Sequence, residues 1–188
     1  MEDNRKREDL RVVKTRRALY TALFALLRHK YFTKITVRDL CEEAIVSRTV
    51  FYAHFTDKYD LLERALQPLH EKLAAIFFSG DDQALADFGC SLLLEHMTQV
   101  KNVLEDASYD MIMLLFRFFA PLKEYLPDMH TNTQLMVQSY VVGGIYSVLL
   151  TQVYNCDCRH EAALRANIAC VCRLVRRQLE QLQEQAEG

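Results

Sequence analysis

The stretch Ile35–Phe55, ITVRDLCEEAIVSRTVFYAHF, contains two short amphipathic periods, each preceded by a residue suited to cap a helix. Thr36 stands before Val37, Leu40, Cys41 and Ala44, which recur at the spacing of one helix face. Ile45 and Val46 then make an apolar corner. Ser47 stands before a second run in which Phe51 and Phe55, four residues apart, share an inward side. Arg48, Thr49, Tyr52 and His54 are left mainly on the outer side. Two short helices joined by a tight corner, the second hiding its phenylalanines and presenting Arg, Thr, Tyr and His, have the chemistry to enter a DNA major groove. An arginine there pairs with guanine O6 and N7, a discrimination of roughly 1–3 kcal/mol.

The flanks read as helices too. A first helix is expected to begin between Asp9 and Thr15 and run to about Lys30, with Leu19, Leu23, Leu26 and Leu27 on one face; residues 1–8 read as a charged arm ahead of it. Asp57 can cap a fourth helix carrying Leu61, Leu62, Ala65, Leu66, Leu69, Leu73 and Ile76. Pro68 lies inside that pattern and is expected to kink or divide the helix near Arg64–Gln67. Ser79–Asp82, with Gly80, is the clearest break. Further helices are expected around Gln83–Lys101, Tyr109–Phe119, Asn132–Tyr154 and Glu161–Gln185, with Pro121 and Pro127 bracketing an irregular connection. No strand, repeat or low-complexity tract stands out.

The segment Lys14–Leu62 resembles the DNA-binding domain of TetR-family transcriptional regulators, most closely in SRTVFYAHFTDKYDLL, Ser47 to Leu62. The F-Y-x-H-F run and the D-K pair after it are present as Phe51, Tyr52, His54, Phe55, Asp57 and Lys58. The match covers about a quarter of the chain; the rest agrees in length and helical character. The resemblance implies an all-α fold: an N-terminal three-helix helix-turn-helix domain over residues 1–60 and a C-terminal helical ligand-binding and dimerisation domain over residues 61–188. It makes Ser47–Phe55 the recognition helix, with Ser47, Arg48 and Thr49 in its first turn. It gives Tyr52 and His54 backbone contacts, Lys58 a phosphate contact, and Thr36 and Arg38 contacts from the preceding helix. The implied function is that of a homodimeric regulator, a repressor that binds a palindromic operator and is released by a small-molecule effector. There are departures. Ile45 stands where glycine is common, which is tolerable if its φ is negative. Thr49 and Val50 replace a small residue followed by threonine. Ala53 replaces a frequently larger side chain.

Charge agrees with this division. Residues 1–60 carry 13 Lys/Arg against 9 Asp/Glu, and residues 61–188 carry 10 against 16, so a positive end adjoins a negative one. Arg5, Lys6, Arg7, Arg11, Lys14, Arg16 and Arg17 form a basic cluster that can follow a phosphate backbone. With 51% hydrophobic residues, 5 Gly and 3 Pro, the composition is that of a compact helical protein. The charged start MEDNRKREDLR is unlike a signal peptide, and no apolar run is long enough to span a bilayer, so a cytoplasmic location with thiol cysteines is expected. Cys170 and Cys172, two apart on a helix, point in different directions and cannot readily share an ion. Cys156 and Cys158, beside Arg159 and His160, are the more plausible reactive pair. No cofactor or metal is expected, and no phosphate loop, H-E-x-x-H or nucleophile elbow suggests an enzyme.

For an effector, the apolar segment Met111–Leu122 suggests Met113, Phe116 and Arg117, the last as an anchor for an anion, with His96, Tyr109, Tyr125 and Tyr140 as further polar or aromatic groups. Val141, Gly143, Gly144, Val148 and Leu149, with Leu164, Ile168, Val171, Leu174 and Val175, suggest a dimer interface built from the last two helices. The alternative reading is a TetR-like chain that has lost operator binding and docks another protein.

Overall fold

The computed structural model describes residues 2–106, 108–118, 131–155 and 161–187. Among them there is no strand. Eight α-helices follow one another: α1 (Glu2–Leu26), α2 (Val37–Ala44), α3 (Arg48–Tyr52), α4 (Lys58–Phe78), α5 (Asp82–Leu104), α6 (Tyr109–Phe118), α7 (Thr131–Asn155) and α8 (Glu161–Glu187), with a 3-10 turn at Phe32–Lys34 between α1 and α2. The segment containing Pro121, Tyr125 and Pro127 lies outside the described residues, as do Cys156, Cys158, Arg159 and His160.

The caps explain where the N-terminal helices start. Thr36 Oγ1 accepts from the Asp39 N–H while the Asp39 carboxylate accepts from the Thr36 N–H, a reciprocal box that satisfies two donors otherwise orphaned at the start of α2. Ser47 Oγ accepts from the Val50 N–H at 3.2 Å, and Asp57 Oδ1 takes the N–H groups of Tyr59 and Asp60 at the start of α4. Asp81 caps α5 through the Ala84 N–H.

Three expectations about the helices are corrected. The first helix extends back to Glu2, so the basic residues of the expected arm lie on its first turns, and it ends at Leu26, followed by a turn. The motif's second helix stops at Tyr52 instead of continuing to Phe55. Pro68 does not divide α4, which runs unbroken to Phe78. Pro68 and Arg64 are both exposed, so water can take the Arg64 carbonyl that loses its usual N–H partner. The backbone breaks in α5 instead, at His96 (φ −121°, ψ 21°).

The main core gathers Leu19, Leu23 and Leu27 of α1, Phe32 and Ile35 of the turn, Leu40 and Cys41 of α2, Phe51 and Phe55, and Leu61 and Leu62 of α4, all buried. Met111 and Leu114 of α6 complete the same cluster. The boundary expected at residues 60 and 61 therefore falls inside α4, in a core shared by both halves. Each large apolar side chain sealed there contributes about 1.5–3 kcal/mol. Towards the far end, Cys90 and Leu93 of α5 pack with Leu164 and Ile168 of α8, and Phe77 and Leu85 pack with Cys172 and Val175.

Candidate nucleic-acid interface and cavity

The corner between α2 and α3 is a Schellman-type turn: the Val46 N–H reaches the Cys41 carbonyl at 2.9 Å and the Ile45 N–H the Glu42 carbonyl at 3.3 Å. This geometry requires a left-handed residue, and Ile45 takes it at φ 56°, ψ 46°. The condition under which a β-branched residue fits here without strain, a negative φ, is thus not met. The apolar corner is corrected: Val46 packs against the core, whereas Ile45 is 92% exposed.

Burial of Phe51 and Phe55 fixes the rotation of α3 about its axis. The two rings lie 5.8 Å apart, and Tyr20 of α1 meets Phe55 edge-on at 5.8 Å. Ser47, Arg48, Thr49, Val50, Tyr52 and Ala53 are consequently exposed together, Tyr52 to 58%, with His54 half-buried. Thr36 and Arg38 lie at the exposed start of α2. Arg38 pairs with Glu42 one turn along at 2.6 Å, a surface pair that contributes little and that phosphate can displace. Lys30 holds Asp39 at 2.6 Å; with the Thr36 N–H it keeps the Asp39 carboxyl down at about 2.

Lys58 is placed differently from the others. Its ammonium donates to the carbonyl oxygens of Phe32, Thr33 and Ile35 at 2.8, 3.2 and 3.2 Å and sits 4.7 Å from the Phe32 ring centroid. Three N–H donors meet three carbonyls, so the side chain fastens the turn before α2 to the start of α4. Burial lowers its pKa, with Asp106 and Asp57 opposing. Beside it, the Tyr59 hydroxyl donates to Asp106 Oδ2 at 3.0 Å and lies 3.1 Å from Ser108 Oγ. Burial alone would raise the Asp106 pKa; hydrogen bonds from Ser108 and Tyr59, with the charge of Lys58, bring it below the ordinary value. One turn back on α5, buried Asn102 donates to the Leu27 carbonyl at the end of α1 at 2.8 Å. The Tyr146 hydroxyl of α7 donates to the Leu104 carbonyl, and that of Tyr154 to the Glu105 carboxylate. The corner between α5 and α6 thus bonds to α1, α4 and α7. Nothing in the F-Y-x-H-F pattern pointed to Asn102 or Asp106, which lie far along the chain.

Between α4, α5, α6 and α8 lies a cavity of about 660 Å³ with a wall almost wholly of carbon. From α6 it takes Met111, Leu114, Leu115 and Phe118, one helical face. Met113, Phe116 and Arg117 lie off that face and do not line it. Arg117 pairs instead with Glu63 of α4 at 2.9 Å. Tyr109, 73% exposed, and exposed Tyr140 do not line it either, and Tyr125 is outside the described residues. Of the expected effector residues only His96 does. The signal missed in the sequence is on α4: apolar residues at positions 62, 65, 66, 69, 73, 74 and 77 are more than one packing face needs.

The helix-α8 stripe expected to meet a second copy is used internally. Leu164, Ile168, Val171 and Val175 turn towards α5 and the cavity, leaving Leu174 exposed. On α7, Met136, Tyr140, Gly143, Gly144 and Ser147 are exposed at positions that share one face, while Val141, Val148 and Leu149 have no described side chain. Cys172 borders the cavity, where burial pushes its thiol up to about 11, against any role as a ready thiolate. Among the described residues, no cluster of His, Cys, Asp and Glu could hold a metal ion, and no helix is long and apolar enough to cross a membrane.

Comparison with known proteins agrees with this geometry. Residues 19–65, from the buried face of α1 into α4, match the family described as bacterial regulatory proteins, tetR family. The uncharacterized HTH-type transcriptional regulator YxbF of Bacillus subtilis (strain 168) is 35% identical over 66 residues, 35% of this chain; the alignment spans only 17% of that relative's length. The crystal structure of a TetR transcriptional regulator from Streptococcus agalactiae 2603V superposes with a TM-score of 0.61 over 89% of this chain and 97% of that one, at 18% identity, a likeness of fold. Residues 19–65 thus match the DNA-binding part of the tetR family of bacterial regulatory proteins, and the chain as a whole has the fold of a TetR transcriptional regulator.

Proposed function

We propose that the chain acts as a homodimeric repressor that binds a palindromic operator and releases it when a small molecule enters the cavity. The observation that carries the DNA reading is the joint exposure of Ser47, Arg48, Thr49 and Tyr52 on a helix locked in rotation by buried Phe51 and Phe55. Arg48 is the base-reading residue, aimed at a guanine; Thr49 and Tyr52 add base or phosphate contacts, and His54, Thr36 and Arg38 add phosphate contacts. Lys58 contributes indirectly, by holding the turn ahead of α2. Val50, exposed beside Thr49, offers a methyl surface to thymine.

A second copy docks on the exposed face of α7, where Gly143 and Gly144 have no neighbouring atom within 4 Å of an added Cβ and so permit close approach, and exposed Leu174 adds an apolar side chain from α8. Two-fold symmetry then sets the recognition helices about 34–36 Å apart, one turn of DNA. Such a regulator works in the cytoplasm, on the chromosome.

Selection of purified protein against a random duplex library tests this, followed by titration of the enriched site with Arg48→Ala. The expected result is a palindromic site that the variant binds about 10–100-fold more weakly. Folded dimer that enriches nothing at low salt would favour the protein-docking alternative instead.

A further inference from the structure

The cavity follows α4, and its few polar lining groups are Arg28, His70, His96, Gln99 and Gln152. Along α4 it is lined from Leu62 to Phe78, sixteen residue steps or about 24 Å of helix. A volume of about 660 Å³ over that length is a mean cross-section of roughly 27 Å², narrow for its reach. At the far end Phe77 and Leu85 are buried, and Arg176 lies 4.8 Å from the Phe77 ring while its guanidinium bonds Asp82 and the Phe77 carbonyl. That charge is already answered.

The near end is different. Among the described residues Arg28 is the single fully charged one in the wall; it is exposed and has no side-chain partner among them. The Asn102 bond to the Leu27 carbonyl brings α5 against this end of α1, and Gln99 and His96 precede it on α5 at three-residue steps, both bordering the cavity. The backbone break at His96 falls here as well. Among the described residues no acidic side chain lines the wall.

We propose that the cavity holds a single-chain amphiphile with an anionic head, a long-chain fatty acid in chemical class. Its head lies at Arg28, Gln99 and His96, and its tail runs along α4 towards Phe77. This assignment rests on the regulator reading, which makes the cavity an effector site, and adds which molecules fit it. A cation at one end and a carbon-walled interior match a charged head and a saturated tail. A cationic head would face Arg28 with no acid to receive it.

The test is a binding titration of the full chain, below the aggregation threshold of each lipid, with palmitate, octanoate, hexadecyl phosphate and hexadecanol. Palmitate is expected to bind, and affinity to grow about fourfold per added methylene, the equivalent of about 0.8 kcal/mol. Hexadecyl phosphate would separate recognition of charge, in which case it binds like palmitate, from recognition of a carboxylate, in which case it binds more weakly; either fits an anionic head. Hexadecanol is expected to bind about tenfold more weakly than palmitate, and Arg28→Gln to abolish that difference. Ala74→Phe, which fills the passage towards the far end, is expected to weaken palmitate while sparing octanoate. Thermal melts of both variants without ligand confirm folding. Equal affinities for palmitate and octanoate, or for palmitate and hexadecanol, would overturn the proposal. Operator binding is read separately: palmitate that binds yet leaves DNA affinity unchanged refutes the effector role and keeps the lipid site, and sound operator binding with no palmitate affinity does the reverse.

Discussion

Replacing Ile45 by glycine is expected to stabilise the protein. The Schellman turn holds this residue at φ 56°, where an L side chain crowds its own carbonyl at a cost of about 1–2 kcal/mol, more for a β-branched one. At 92% exposure the side chain recovers almost nothing by burial. Glycine removes the crowding but enlarges the unfolded ensemble, offsetting about 0.4–1 kcal/mol. The net gain is about 0.5–1 kcal/mol, which for a domain of this size raises the melting temperature by roughly 1–4 °C. Differential scanning calorimetry of wild type, Ile45→Gly and Ile45→Ala measures it. The alanine variant keeps a Cβ in the left-handed region and is expected to gain less than glycine. A lower melting temperature for Ile45→Gly would refute the reasoning, since it would mean that the exposed isoleucine contributes more than its strain costs.

Two further outcomes follow from the same region. Lys58→Met strips three carbonyls of their donor and is expected to cost about 2 kcal/mol in urea unfolding, while the slope of log affinity against log salt stays as in wild type; a slope smaller by about one per site would make Lys58 a phosphate ligand after all. Asp39, held at about 2 chiefly by Lys30, has a folded pKa below its unfolded one, so its contribution is present above about pH 4 and is lost as pH falls towards 2; Asp39→Asn is expected to lower stability by about 1 kcal/mol at pH 7 and to flatten the acid limb of a pH series between those values. An unchanged acid limb would show that the pair contributes nothing.

What could be read in the chain was short-range. Thr36, Ser47 and Asp57 announce helix starts because a cap acts within three residues, and the spacing of Phe51 and Phe55 needs only the helical repeat. Faces of the later helices were harder. Helix α6 is apolar nearly all round, so periodicity does not say that 111, 114, 115 and 118 turn inward, and Arg117 drew notice by its charge although Glu63 takes it. The stripe on α8 was legible as a stripe, but whether it meets α5 or a second molecule depends on which neighbour arrives, and no local rule contains that. The left-handed Ile45 was hidden because its identity argues against the conformation its position demands. Lys58 has the residue type of a phosphate ligand, and only the arrival of the Phe32–Ile35 backbone gives its ammonium other partners.

Met111 and Leu114 close the cluster that Leu19, Phe32 and Phe51 begin. The interior of the DNA-reading half is therefore completed by side chains from beyond residue 60. Cut away after residue 60, it would expose a raw apolar flank and lose most of α4 with it, so it could not be moved between proteins as a cassette. The same shared floor sets α6 in direct packing with the cluster beneath α3, so a change of packing at one is expected to register at the other.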